Sequence, residues 1–433
     1  MTVVRQTGTP VQGILPAPSF RRAGDFVFVS SIYPLDGDGH VVHARSLSPY
    51  VGEAEVAAQT RACLETLRSV LAEAGTSLER VVKAEVYLVD PADFYEFKLV
   101  WREYFPTDPP ARTTAIVGDE HIVPGCRLNL HAIALAGDSA YRKETIRVPD
   151  VPDPMEAEHA PQAVKAGPFV FPSGVPATDF KTGIPVGKQP GFPNYGSDAE
   201  MQAHYFFQNL EKVLRAAGSG LDQALKAQLY EPDLSTFHDV DGVWGQYLTV
   251  PPTRSSMAVR GLLVPGAVFV ANLLFLAPDS RLQKKETRAG IRWHPVDVRK
   301  VNFSPGILVG DWLFTAGQVA VPDFAKPEWV GAPRGLPYYY SDIEIQTEFT
   351  MQLLREQLEA NGFALTDVVD ARIYLVDPRR DYRGFERAWR RIFDPLGHYP
   401  SMSLIPSSDR NGGTGIMFPG PIIEIDLISK KER

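Results

Sequence analysis

Apolar positions along the chain fall into strand-length runs and helical stripes, and the same order of runs occurs three times. The clearest stretch is Pro109 to Ala136, PPARTTAIVGDEHIVPGCRLNLHAIALA. Ile116 and Val117, then Leu128, Leu130, Ile133 and Leu135, predict two strands joined by a loop holding Pro124-Gly125, with Arg112 at the mouth of the first strand. The stretch returns at Pro251 to Ala277 with Arg254 in the same place. It returns in altered form from Tyr399 to Ile428, where Met402 stands in the arginine's place. Gly24, Gly167 and Gly310 each precede a strand and lie 143 residues apart. Gln59, Gln202 and Gln346 each lie 16 residues before a glycine: Gly75, Gly218 and Gly362. Trp101, Trp244 and Trp389 mark a second helix in each copy. A period this long means repeated domains rather than solenoid units.

Each repeat predicts β-β-α-β-α-β-β, an α+β unit with two helices on one face of a mixed sheet. In the first repeat, Asp36-Gly37 and Asp38-Gly39 predict a tight hairpin. Leu64, Leu67 and Leu71 fall at helical spacing, and Gly75 supplies a stop. Ser197 with Glu200 and Ser341 with Glu344 fit capping boxes. The strings VVKAEVYLVD, ALKAQLYEPD and VVDARIYLVD predict the next strand. Segments 138–154 and 278–290 read as linkers. The boundaries expected are 1–140, 141–283 and 284–433.

The composition, 44% hydrophobic and 22% charged, is that of a globular protein. The net charge of −8 argues against a nucleic-acid partner. No apolar run reaches the roughly 18 residues of a membrane span. Two cysteines make no disulfide framework, which suits a reducing compartment, and no signal-peptide pattern opens the chain. A cytoplasmic location is expected. No zinc-type spacing or phosphate loop occurs, so neither metal nor organic cofactor is expected.

The strings EAEVAAQTRACLETLRSVLAEAG, VVKAEVYLVDPADFYEF, PPARTT and NFSPGILVGDWLFTAGQ resemble the Rid (YjgF-like) family of reactive-intermediate imine deaminases. The resemblance implies a chorismate-mutase-like fold, usually a homotrimer around a central β-barrel with clefts between subunits. Three linked copies imply a pseudo-trimer, monomeric or as a dimer of pseudo-trimers. It also implies a small-molecule substrate and no cofactor. Arg112 and Arg254 match the family's substrate arginine, whose planar guanidinium holds a carboxylate through two parallel bonds. The alternative is an arginine in an ordinary ion pair. The family's last-strand glutamate, which positions water, is matched only by Glu424; Asn129 and Val270 take its place elsewhere. Asp426 shares a strand face with Glu424, and His131 and Asn272 are its equivalents. Ser30, Ser173 and Ala316 occupy the opening-strand serine position, and Phe303 replaces an aromatic hydroxyl. No repeat carries the full set. Arginine and glutamate can meet only across an interface, unless Arg410 substitutes for the missing arginine.

His131 reads either as a base or as a hydrogen-bonded core residue. Tyr205, Phe206 and Phe207 read as helix residues packed on the sheet. Tyr338, Tyr339 and Tyr340 read as packing, with a cleft wall as the alternative. The function expected is cofactor-free hydrolysis of a small imine, enamine or related C–N substrate bearing an acid group. The alternative is a non-catalytic ligand-binding or scaffold protein on the same fold.

Overall fold

A computed structural model describes residues 13–44, 52–118, 120–185, 197–277, 281–291, 301–322, 328–333, 335, 339–407 and 415–432. The first unit holds β1 (Phe20–Ala23), β2 (Phe26–Ile32), α1 (Glu55–Glu73), β3 (Val81–Leu88), α2 (Phe94–Tyr104), β4 (Ala111–Ile116) and β5 (Leu128–Leu135). The second holds β6 (Lys143–Ile146), a one-turn α3 (Met155–Glu158), β7 (Ala163–Ala166), β8 (Phe169–Pro172), α4 (Asp198–Ala216), β9 (Ala224–Glu231), α5 (Phe237–Tyr247), β10 (Thr253–Ala258) and β11 (Val270–Leu276). The third holds β12 (Lys284–Thr287), β13 (Gly306–Val309), β14 (Trp312–Thr315), β15 (Gln318–Val319), α6 (Asp342–Ala360), β16 (Val368–Leu375), α7 (Pro378–Phe393), β17 (Ser401–Pro406) and β18 (Ile423–Lys430).

These make three mixed sheets, ordered β1-β2-β5-β3-β4, β10-β9-β11-β8-β7-β6 and β12-β13-β14-β18-β16-β17. The two strands of the arginine stretch do not pair with each other. β4 runs parallel to β3, while β5 pairs antiparallel on β3's other side, and the same holds in each unit. The helix between β3 and β4 forces this, because a parallel neighbour needs a crossover.

Each unit also holds a hairpin that the sequence pattern did not predict. It turns at Gly24, Gly167 and Gly310, whose φ values of 60°, 55° and 57° suit glycine. The expected Asp36–Gly39 turn forms as well, closed by the Leu35–Val41 bridge and by hydrogen bonds from Asp36 N to His40 O (2.9 Å) and from Gly39 N to Asp36 O (3.1 Å). Both expected linkers contain strands: β6 and β12 add to the edges of the second and third sheets. Ser197 and Glu200 form the expected capping box on α4, but Ser341 makes no side-chain cap on α6.

The recurrent glutamine has a mechanical reason. Gln59 donates to Gly125 O (2.9 Å) and accepts from Arg127 N (2.7 Å), tying α1 to the loop before β5. Gln202 and Gln346 repeat both bonds with Gly266 and Val268, and with Gly420 and Ile422. Trp101, Trp244 and Trp389 are each fully buried between helices and sheet. Phe206 and Phe207 pack on the sheet as expected. Tyr339 and Tyr340 are exposed instead of packed, and Tyr338 lies outside the described residues.

The three ladders stay separate, and no closed barrel is found among the described residues. The units nevertheless touch in sequence. Gly174 N donates to Arg112 O (2.9 Å), and Gly317 N donates to Arg254 O (3.1 Å). The third unit returns to the first through Met402 N to Ser30 Oγ (3.0 Å) and Leu404 N to Ser31 Oγ (3.2 Å). Phe26, Phe169 and Trp312, one from each unit, meet with ring centroids 5.4 to 6.3 Å apart. Among the described residues no helix is long and apolar enough to cross a membrane.

Candidate active site

Pairing register places the functional positions identically in each unit. Arg112 lies opposite Ala84, Arg254 opposite Ala227 and Met402 opposite Ala371. Each begins a parallel edge strand that abuts the next unit. The three junctions are therefore comparable position by position, and they differ sharply.

At the first junction Arg112 is wholly buried. Its Nε donates to Thr114 Oγ1 (3.1 Å), and its Cζ lies 5.1 to 5.4 Å from the rings of Phe94, Phe97 and Trp101. Nη2 donates to the carbonyl of Glu158 and lies 3.7 Å from that residue's Oε2. Glu158 comes from α3 of the second unit, so a protein carboxyl already faces the guanidinium. Burial pushes Glu158 up to about 7 against the pull of Arg112 and Lys98, and burial lowers Arg112 to about 10. A cavity of about 240 Å³, lined by Phe94, Glu158, Phe180 and Leu263 among others, lies beyond Glu158.

At the second junction Arg254 lies under Phe237, Trp244 and Phe303, at 5.1, 5.4 and 5.8 Å. Nη1 donates to Asp241 Oδ1 (2.6 Å), and Asn302 Nδ2 from the third unit donates to Asp241 Oδ2 (2.8 Å). Here the third unit's Glu424 arrives. It bonds Ser255, the residue after Arg254, and feels the Arg254 charge. Burial and then the neighbouring Asp426 push Glu424 up to about 8, against Ser255, Lys226 and Arg254. Asp426 itself is held by Lys226 Nζ (2.7 Å), Ser255 Oγ (2.7 Å) and Tyr374 OH (3.1 Å). A Cβ on Gly317 would fall 1.8 Å from Glu424 Oε1, so the close approach of this loop to the carboxylate requires glycine.

The third junction is filled with apolar side chains. Met402 is buried in one cluster with Trp389, Phe385, Leu15 and Ala17, the last two from the chain's opening segment. Tyr382 OH donates to Ile14 O, which fastens that segment down.

The remaining expected site residues divide cleanly. Phe303 stands at the Arg254 junction. Ser173 Oγ donates to Pro161 O (2.6 Å) and accepts from Arg112 N (3.1 Å), so it fastens backbone to backbone. Ser30 does the same between Pro18 O and Met402 N. Asn129 donates to Leu404 O (2.9 Å) and Tyr33 OH (3.3 Å). His131 is buried between Asp370 (3.3 Å) and Glu85 (3.8 Å), within a polar network that joins the first unit to the third. That network shows why three linked copies differ from three identical ones. Lys83, Lys226 and Asp370 are equivalent by register, as are Glu85, Gln228 and Arg372. Arg372 donates to Glu85, and Lys226 pairs with Asp426, so opposite charges meet across units. Arg410 lies outside the described residues. The described residues include one exposed group with metal-ligand spacing, Asp36, Asp38 and His40, remote in sequence from these junctions.

The profile of the Endoribonuclease L-PSP family matches residues 20–136, 153–269 and 298–412, one copy per unit. The chain belongs to this family. The resemblance to the Rid (YjgF-like) proteins thus holds in each of the three repeats. Among relatives, the 3-aminoacrylate deaminase RutC of Acinetobacter baylyi is 40% identical over 116 residues, 27% of this chain and 84% of that protein. A RutC family protein of Pyrococcus abyssi is 35% identical over 97 residues, 22% of this chain and 68% of that protein. The crystal structure of a chorismatase aligns with a TM-score of 0.48 at 11% identity, covering 81% of this chain and 93% of that one.

Three residues of these family junctions escaped the sequence reading: Glu158, Asp241 and Glu231. Glu158 and Asp241 gave no signal, since acids in surface-helix patterns are ordinary. Glu231 did give one. It interrupts the apolar strand ALKAQLYE where the other repeats have Leu88 and Leu375.

Proposed function

We propose that the chain is a cofactor-free deaminase of small imino or enamino acids, working at the junction of Arg254 and Glu424. The observation that carries this is the meeting of the one last-strand glutamate with one arginine, across two units. On this reading the three domains, 1–140, 141–283 and 284–433, form a monomeric pseudo-trimer whose closure brings the third unit's glutamate to the second unit's arginine. RutC of Acinetobacter baylyi, a deaminase by name, supports the reaction class.

Arg254 exchanges Asp241 for the substrate carboxylate and fixes it by two parallel hydrogen bonds. Phe303, Phe237 and Trp244 wall the guanidinium and strengthen that contact by excluding water. Glu424 in its ionised form takes a proton from water as the oxygen bonds to the imine carbon, and the nitrogen gains a proton. The resulting amino alcohol collapses to the oxo acid and ammonia. Because the Glu424 carboxyl is pushed up to about 8, it is a stronger base than an ordinary glutamate. The acid groups Asp241, Glu231 and Glu424 around one arginine are unsuited to a phosphate backbone, which weighs against RNA as substrate.

The test is hydrolysis of a freshly generated imino acid by three variants. Glu424→Gln should lose turnover with acid binding retained, Arg254→Lys should raise KM, and Arg112→Lys should behave as wild type. A fully active Glu424→Gln, with equal partial losses from both arginine variants, would leave the binding-protein reading instead.

A further inference from the structure

Glu231 ends β9 and is completely buried, yet neither of its side-chain oxygens has a hydrogen-bond partner among the described residues. An unpartnered buried carboxyl is strongly disfavoured, so its presence needs a reason. Its equivalents are Leu88 and Leu375, both part of hydrophobic cores. The neighbouring strand changes with it. Leu88 faces Ile116, whereas Glu231 faces Ala258, which leaves less bulk beside the carboxyl. Alternation along β9 puts Ala227, Leu229 and Glu231 on the face that packs under α5. The Arg254 guanidinium lies on that same face, over Phe237 and Trp244 of α5. Burial pushes Glu231 up to about 8, opposed by Arg254 and reinforced by Asp241 and Asp233. Those are the charged groups that face it.

We propose that Glu231 is a specificity-determining residue of the Arg254 junction, where it receives the nitrogen of a substrate whose carboxylate sits on Arg254. This rests on the function proposed above and adds to it the group that separates nitrogen-bearing acids from plain ones. A buried acceptor left empty discriminates strongly, because a ligand lacking the donor leaves the carboxyl unpaired. A ligand with an amino or imino nitrogen one carbon from its carboxylate supplies both partners at once. The equivalent of Glu231 at the first junction is Leu88, so acids that enter there meet no such partner.

The experiment is calorimetric titration at pH 8 with two non-reacting probes, alanine and propionate. Wild type should bind alanine at least tenfold more tightly than propionate. Glu231→Leu, the residue that the other two repeats carry here, should erase that preference while leaving propionate binding within about twofold. The same variant should unfold at higher denaturant, because the orphan carboxyl is gone. Glu231→Gln, which keeps an acceptor oxygen, should retain part of the preference. Arg254→Ala should remove binding of both probes. Equal binding of the two probes by wild type, failure of either to bind, or a preference that survives Glu231→Leu would each overturn the proposal. A preference that depends on Glu231 in a protein without turnover of imino acids would keep it and refute the deaminase reading alone.

Discussion

Two junctions of one chain hold an arginine at the same register, against the same kind of aromatic wall, and only at Arg254 does a last-strand glutamate stand beside it. At Arg112 the neighbouring unit sends in Glu158, which fills the place of an acid ligand. At Arg254 the neighbouring unit sends in Glu424, and the arginine's partner Asp241 comes from its own unit's α5. The difference lies in the segment that comes after each edge strand, β6 or β12. In the second unit this segment folds into α3 and caps the first junction. In the third it supplies Asn302, which bonds the arginine's partner Asp241, and Phe303, whose ring lies against the guanidinium, so Arg254 is buried as well. Fusion of three copies is what allows this, since a homotrimer must repeat each feature three times.

The largest effect that separates the junctions is expected from Glu424→Gln. Turnover should fall by roughly 10² to 10⁴, the range for loss of a general base, as measured by release of ammonia from a generated imino acid. Glu158→Ala comes next. It leaves Arg112 buried without its carboxyl, which should cost about 3–5 kcal/mol in denaturant titration. Added propionate should recover part of that loss in the variant and not in wild type, because the vacated guanidinium then accepts an external acid.

Turnover at the second junction should also depend on pH through Glu424. Its folded value is raised to about 8 by burial and Asp426, with Ser255, Lys226 and Arg254 opposing, and the working form is ionised. Activity should therefore climb about tenfold per pH unit below about 8 and level off above it. A profile already flat from pH 6 would assign the base elsewhere. The smallest effect is expected from Arg112→Lys. Turnover should stay within about twofold of wild type, since a lysine at a self-capped junction touches no substrate.

Much of the fold was legible because it repeats. The glycine turns, the glutamine bridges and the buried tryptophans recur at one spacing, and each has a local physical cause visible in the string. The turn at Asp36–Gly39 was legible because Asp-Gly is a strong turn signal by composition, whereas the β1–β2 hairpin was not, since Gly24 works through its positive φ alone. The strands β6 and β12 were missed because they are charged, half-buried edge strands with no apolar run. At the site, Arg112, Arg254 and Glu424 were legible as residue types, but their pairing was not. Which arginine meets Glu424 depends on the order in which the units contact one another. Ser30 and Ser173 stand where expected, yet both serve as backbone fasteners, because the strand end that each touches lies within hydrogen-bond reach.

The central claim is that one junction of three takes the acid. The most direct measurement is the number of propionate molecules bound per chain, by calorimetry, in wild type, Arg254→Ala and Arg112→Ala. The account predicts one per chain in wild type, none in Arg254→Ala, and one again in Arg112→Ala at unchanged affinity. Two or three equal sites in wild type, or binding that survives Arg254→Ala and disappears in Arg112→Ala, would contradict it.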